Sequence, residues 1–194
     1  MQAAPHFTIE PTDALIVVDP QNDFLPGGSL AVAGGNRIFA PINRIMPLFS
    51  HVLATRDWHP EDHAYFQVNG GPWPFHCLAD TPGAEFSPLL DTAPIELVMS
   101  KGTDPQTDGY SAFAGTDLAE QLRQRGIKRL FITGLATDYC VKMTSIEAKQ
   151  NGFEAVVLTD AIAAVGVEPD DEARALRDMR ERGVALATTA DLRV

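Results

Sequence analysis

Three residues sit at the ends of apolar runs, and together they could perform nucleophilic chemistry on a carbonyl. Asp19 closes Ala14-Leu-Ile-Val-Val-Asp19, Lys101 follows Glu96–Ser100, and Cys140 ends Gly134-Leu-Ala-Thr-Asp-Tyr-Cys140. A carboxylate reached after an apolar run is poorly solvated, which raises its proton affinity and suits it to take a thiol proton and return it to a leaving group. A thiol in the first turn of a helix meets unpaired N–H groups and the positive dipole end, which favour a thiolate and can hold an oxyanion. Thr137 is the expected N-cap of that helix. An ammonium at Lys101 would favour the ionised forms of both Asp19 and Cys140. Taken singly, each has a plainer reading: Cys140 as a small buried hydrophobe, Asp19 as a turn cap before Pro20, Lys101 as a solvated strand end. The functional reading rests on their arrival at one rim. Cys77 has no activating acid or helix start nearby and is expected to be structural.

A second cluster follows the next apolar run. Asp57-Trp58-His59-Pro60-Glu61-Asp62-His63 precedes Trp73-Pro74-Phe75-His76, and four of the five histidines lie between His51 and His76. Imidazole and carboxylate suit Zn²⁺, Fe²⁺ or Mn²⁺, and Asp-x-His spacing lets both ligands leave an extended backbone on one side. With His51 assigned to the start of a strand, Asp57, His59, His63 and His76 remain as candidate ligands. The plainer alternative is a polar surface loop. Two or three protein ligands would leave positions open for substrate.

The elements that must position these groups are legible from periodicity. Apolar runs without polar alternation are expected at Ala14–Asp19, Val52–Arg56, Glu96–Ser100, Arg129–Thr133, Ala155–Thr159 and Val184–Thr188. Helices are expected near Asn36–Ser50, Leu118–Arg125, Asp138–Asn151 and Asp170–Arg182. Strands of this kind are buried on both faces, so the pattern predicts a three-layer α/β/α fold around a mainly parallel six-stranded sheet. Gly126, Gly152 and Gly183 each follow a helical run, where a left-handed C-terminal cap belongs. The stretch from Asp57 to Pro94 shows neither period, and long irregular segments of this kind are usually functional. In open α/β sheets the ligand lies beyond the carboxyl ends of the strands, where Asp19, Asp57, Lys101 and Gly134–Cys140 stand.

Bulk properties narrow the classes. The chain has 194 residues, 45% hydrophobic and 21% charged, which fits one ordinary domain over 1–194 without repeat or linker. A formal charge of -11 with no basic patch argues against nucleic acid and anionic membranes as partners. The start, MQAAPHFTIEPTDAL, has neither a basic stretch nor a long apolar run, so a cytoplasmic protein is expected, monomeric or homo-oligomeric. In such a compartment Cys77 and Cys140 stay reduced.

Taken together, these segments resemble the nicotinamidase and pyrazinamidase group of the isochorismatase-like cysteine hydrolases. The likeness spans nearly the whole chain. It is carried by Asp19-Pro-Gln-Asn-Asp-Phe24 with Pro26-Gly-Gly-Ser-Leu30, Asp57-Trp-His59-Pro, Trp73-Pro-Phe-His76-Cys77, Lys101-Gly102, Tyr110-Ser-Ala-Phe113 and Gly134-Leu-Ala-Thr-Asp-Tyr-Cys140-Val. The resemblance implies a Rossmann-like topology, Asp19, Lys101 and Cys140 as the catalytic group, and Asp57, His59 and His76 as metal ligands. His63 is a further ligand in some relatives and not in others. Tyr65 departs from the serine that family members often carry. A cis peptide bond between Leu135 and Ala136 is implied, with the N–H groups of Ala136 and Cys140 forming an oxyanion hole. Phe24, Trp73, Tyr110, Leu135 and Tyr139 would surround a pyridine ring.

On this reading a metal ion, zinc before iron or manganese, binds the ring nitrogen of nicotinamide and fixes its carboxamide over Cys140. A cysteine thioester then forms and is hydrolysed. Two rivals stand beside it. One is a metal-free relative acting on an ether or carbamoyl amide, which would not be expected to keep Asp57, His59 and His76 together. The other is a catalytically silent metal- or partner-binding domain, which has no reason to gather Asp19, Lys101 and Cys140.

Overall fold

Long uninterrupted apolar strands can be satisfied only between two layers of helices, and the chain adopts this arrangement. The computed structural model describes residues 6–194. Six strands, β2 (Asp13–Val18), β3 (His51–Asp57), β4 (Leu97–Lys101), β5 (Arg129–Leu135), β6 (Glu154–Ala163) and β7 (Ala185–Ala187), form one sheet in the order β4-β3-β2-β5-β6-β7. Every neighbouring pair is parallel. A small second sheet pairs β1 (Phe7–Thr8) with β8 (Leu192–Arg193), also in parallel.

The period of two along β2 divides the core. Leu15 and Val17 pack on one face with Ile38, Phe39, Ile42 and Ile45, which belong to α1 (Phe39–Ile45) and the short turn before it. Ala14, Ile16 and Val18 face the other way. There they meet Leu118 and Leu122 of α2 (Leu118–Gln124), Ile146 of α3 (Lys142–Gln150) and Met179 of α4 (Asp171–Glu181). The three layers expected from sequence are therefore present. Among the described residues no helix is long and apolar enough to cross a membrane.

Element boundaries differ from expectation in three places. The helix expected over Asn36–Ser50 is only seven residues of α-helix flanked by tighter turns at Gly35–Ile38 and Met46–Leu48, because Pro47 cannot continue the helical hydrogen bonding. β6 runs to Ala163 rather than Thr159, after a register shift against β5 between Ile132 and Gly134. The turn that carries Cys140, Thr137–Val141, is π-wound, with the Val141 N–H donating to the Ala136 carbonyl at 3.1 Å. Thr137 is consequently not the N-cap: its hydroxyl is buried without a hydrogen-bond partner. Gly126, Gly152 and Gly183 do take the left-handed conformation.

Strand order places the functional end of the sheet. Counted along the large sheet alone, the order is 3-2-1-4-5-6, which reverses direction between β2 and β5. Asp19 follows β2 and Cys140 follows β5, so base and thiol candidates stand on either side of that reversal.

Candidate active site

The carboxyl ends of three strands converge on one buried charge cluster. Asp19 leaves β2 with φ 45°, a left-handed conformation uncommon outside glycine, and this turns its side chain across the strand ends. The turn is held by its N–H, 3.2 Å from the Thr55 carbonyl, and by the Thr55 hydroxyl, which donates to Asp19 Oδ1 at 2.6 Å. Lys101, the last residue of β4, is fully enclosed. Its Nζ lies 2.7 Å from Asp19 Oδ2, contacts Asp57 Oδ1, donates to the Gly109 carbonyl at 2.9 Å and approaches Cys140 Sγ at 3.4 Å. Lys101 and Asp19 therefore form a fully buried ion pair. Cys140 Sγ and one carboxylate oxygen each of Asp19 and Asp57 all lie within 4.8 Å of one another.

Close backbone approach allows this convergence. Gly134 has φ 108°, and a β-carbon there would stand 2.0 Å from the Val18 carbonyl oxygen, so only glycine lets β5 pass the end of β2. Gly102, with φ 63°, would place a β-carbon 2.3 Å from His59 Cε1.

Burial and neighbouring charge set the protonation states. Burial, opposed by Lys101 and reinforced by Asp57, pushes the Asp19 carboxyl up to about 6. For Asp57 burial acts in the same upward direction, but Lys101 and His59 outweigh it and hold the carboxyl far below its usual range. Lys101 is raised well above its ordinary value, because Asp19 and Asp57 overcome the cost of burial. Burial, with Asp19 and Asp57 adding to it against Lys101, pushes the Cys140 thiol well above its ordinary value. Burial, the largest influence, acts with the two carboxylates and outweighs the lysine that was expected to favour the thiolate, so the sulfur keeps its proton. A thiol that stays protonated until attack needs a base in contact, and Asp19 is the group placed for it.

The metal candidates meet beside this cluster. Asp57, His59 and His76 each bring a ligand atom within 4.8 Å of the others, all three buried. His59 Nδ1 pairs with the Gly102 carbonyl at 2.9 Å and His76 Nδ1 with the Pro74 carbonyl at 2.8 Å. Those carbonyl contacts fix the N–H on the δ-nitrogens and leave each Nε2 lone pair facing the group. Burial lowers His76, and burial with His59 lowers His63 to about 4, so both rings are neutral at pH 7, as ligation requires. His59 is raised: Asp57 overcomes the effect of its burial. His63 stands apart from the tight group. Its ring lies 4.4 Å from that of His59, and its buried Nε2 has no partner. Two imidazoles, one carboxylate and an orphaned imidazole nitrogen beside them make a donor set that fits a divalent ion. His51 starts β3 and pairs with Glu96 at 2.9 Å, outside the site.

A cleft of about 450 Å³, counted out to its open mouth, joins both groups. Phe24, Trp73, Tyr110 and Tyr139 line it as expected, together with Cys140 and Ala136. Trp73 Nε1 donates to the Tyr110 hydroxyl at 2.9 Å, and the Tyr139 ring lies 5.0 Å from Trp73 and 5.5 Å from Tyr110. The Leu135–Ala136 peptide is cis. Leu135 itself does not line the cleft: it is wholly buried in the core on the α1 side, because its neighbour Ala136 takes the position facing the cavity. Cys77 is buried in that core as well, its N–H donating to Asp23 Oδ2 at 2.7 Å.

Several contributors were not anticipated. Leu30, Asp108 and Val165 also line the cleft, beside Tyr65 where the family resemblance had set the edge of the site, and Thr55 and Gln21 brace it from behind. Thr55 had a readable signal, a polar residue inside the apolar run of β3. Val165 had none, since it reaches the cleft only through the fold, where the Asp138 carboxylate accepts its N–H at 3.0 Å and that of Gly166 at 2.9 Å.

A thiol, a carboxylate and an ammonium thus stand together at the reversal point of a parallel α/β sheet. The chain belongs to the isochorismatase domain family, whose pattern matches residues 13–191. Within it, the chain is 43% identical to the nicotinamidase/pyrazinamidase of Mycobacterium tuberculosis, over 91% of this chain and 99% of that protein. The crystal structure of PnC1 from L. infantum in complex with nicotinate superposes with a TM-score of 0.93 at 40% identity, covering 97% of this chain and 98% of that one. The pyrazinamidase of Pyrococcus horikoshii in complex with zinc gives 0.86 at 46% identity, covering 92% and 99%.

Proposed function

We propose that this protein is a nicotinamidase, hydrolysing nicotinamide, and pyrazinamide as well, to the carboxylic acid and ammonia through a thioester on Cys140. The observation that carries this reading is the joint convergence of Cys140, Asp19 and Lys101 beside Asp57, His59 and His76 on one aromatic cleft. The metal candidates favour it over metal-free relatives, and the nicotinate and zinc complexes of similar proteins support the ligand classes. Asp57, His59 and His76 would hold a divalent ion, zinc in our proposal, which would supply Lewis acidity toward a ring nitrogen.

The chain's own groups do the rest. Phe24, Trp73, Tyr110 and Tyr139 enclose the ring and exclude water from the carboxamide. Asp19 takes the Cys140 proton as the sulfur bonds to the carbonyl carbon, and Lys101 balances the carboxylates on either side. Backbone N–H groups of Ala136 and Cys140 hold the oxyanion. The proton passes from Asp19 to the leaving nitrogen, the C–N bond breaks and ammonia departs. Asp19 then takes a proton from water, hydroxide adds to the thioester carbon, and the C–S bond breaks with the sulfur regaining a proton.

Ammonia release from nicotinamide by native, chelator-treated and zinc-restored protein tests the proposal. Chelation is expected to raise KM at least tenfold with a smaller fall in kcat, because the ion positions the ring. A native protein inactive on nicotinamide would overturn the assignment. The pH profile follows from Asp19, which acts as a base only when ionised. Since burial brings it to about 6, kcat/KM is expected to fall about tenfold per pH unit below that value and to be level above it until the next group titrates. A profile flat down to pH 4.5 would remove Asp19 as the base.

A further inference from the structure

Gln21 makes three side-chain hydrogen bonds that the chemistry above does not use. It is fully buried, two residues after Asp19. Its Oε1 accepts the Asp57 N–H at 2.8 Å, while its Nε2 donates to the Asp57 carbonyl at 2.8 Å and to the Ala84 carbonyl at 2.9 Å. Only this amide orientation satisfies all three partners, since a flipped amide would oppose donor to donor and acceptor to acceptor. The side chain thus grips both backbone polar groups of one residue, Asp57, on the β2 side of β3. There the register between the two strands has already ended at Val17 and Ala54, while the β4 side is still paired through Lys101. Gln21 is itself fixed: its N–H donates to the Asp19 carbonyl at 2.8 Å, and its backbone bridges to Phe86.

We propose that Gln21 is the positioning residue for the metal centre, holding the Asp57 backbone so that one carboxylate serves Lys101 with one oxygen and the ion with the other. This rests on the assignment of Asp57, His59 and His76 as ligands. Asp57 Oδ1 is committed to Lys101, and Oδ2 stands 3.4 Å from His59 Nε2, inside the ligand group. A carboxylate divided in this way tolerates little backbone rotation. The residue that prevents rotation also ties the base segment to the metal segment, since Asp19 and Asp57 are bonded to the same glutamine. Partners that orient metal ligands from behind commonly govern affinity by roughly 10- to 100-fold.

Zinc affinity measured by competition with a chromophoric chelator, on metal-free full-length protein, tests this without reference to activity. Gln21→Met removes all three bonds at similar length and is expected to weaken zinc binding roughly 10- to 100-fold. Its kcat should return toward native at saturating zinc. Thr133→Val is the control for a lost buried hydrogen bond remote from the ion, because the Thr133 hydroxyl donates to the Ile16 carbonyl at 3.1 Å. It is expected to lower the melting temperature and leave zinc affinity unchanged. Native zinc affinity in Gln21→Met, with only a lowered melting temperature, overturns the proposal. Should the methionine variant not fold, Gln21→Asn, which keeps the amide but falls one methylene short of Asp57, is judged by the same criterion. Asp57→Ala separates the two ideas: native zinc affinity in that variant would overturn the ligand assignment itself.

Discussion

Replacing Cys140 with alanine is expected to lower ammonia release from nicotinamide by a factor on the order of 10⁴ or more, with zinc affinity and melting temperature close to native. The size follows from what remains. Without sulfur the only nucleophile is water, and Asp19, whose burial brings it to about 6, is a weak base for activating it against an amide. Cys140→Ser is expected to fall nearly as far. A hydroxyl gives up its proton much less readily than a thiol, and the same burial and neighbouring carboxylates that keep the thiol protonated would oppose an alkoxide. Steady-state ammonia assays with both variants check this, and retention of a tenth of the native rate by either one would remove covalent catalysis at this position.

Lys101→Met carries the second large effect, and here the loss falls on stability as well as rate. The ammonium is fully buried between Asp19 and Asp57, and its removal leaves two enclosed carboxylates facing each other without a counter-charge. Breaking a buried charge group in this way costs about 3–5 kcal/mol. Denaturant titration of the metal-free variant should show a loss of that order, and the variant should be inactive because Asp19 is then protonated at neutral pH. Adding Asp19→Asn removes the cost of protonating one of the stranded carboxyls, so the double variant is expected to regain part of the stability and none of the activity. Equal stability of Lys101→Met and native protein would mean that the three charges do not act as one cluster.

The layout of the fold was legible because a parallel sheet buries both faces of each strand, leaving apolar runs that composition alone marks out. The end of β6 and the broken first helix were not, for local reasons: the register shift near Gly134 depends on how β5 passes β2, and Pro47 stops a helix whose apolar period continues. The catalytic and metal candidates were legible because charged residues are costly at the ends of apolar strands, so each had to be explained. Thr137 misled because a good capping residue before a helix was read as a cap, whereas the turn there is π-wound and buries the hydroxyl. Leu135 misled because it is wholly buried in the core, whereas the next residue, Ala136, reaches the cleft. Gln21 had no local signal at all. Its partners lie 36 and 63 positions away, and only the folded chain brings them together.

The central claim is that the Cys140 sulfur becomes acylated during turnover. Native protein mixed with nicotinamide, quenched in acid within the first turnovers and digested, can be mapped by mass spectrometry for the site of acylation. The expected result is a nicotinoyl group on the peptide containing Cys140, absent from Cys140→Ala. Acylation on Cys77 instead, or undiminished ammonia release by Cys140→Ala, would contradict it.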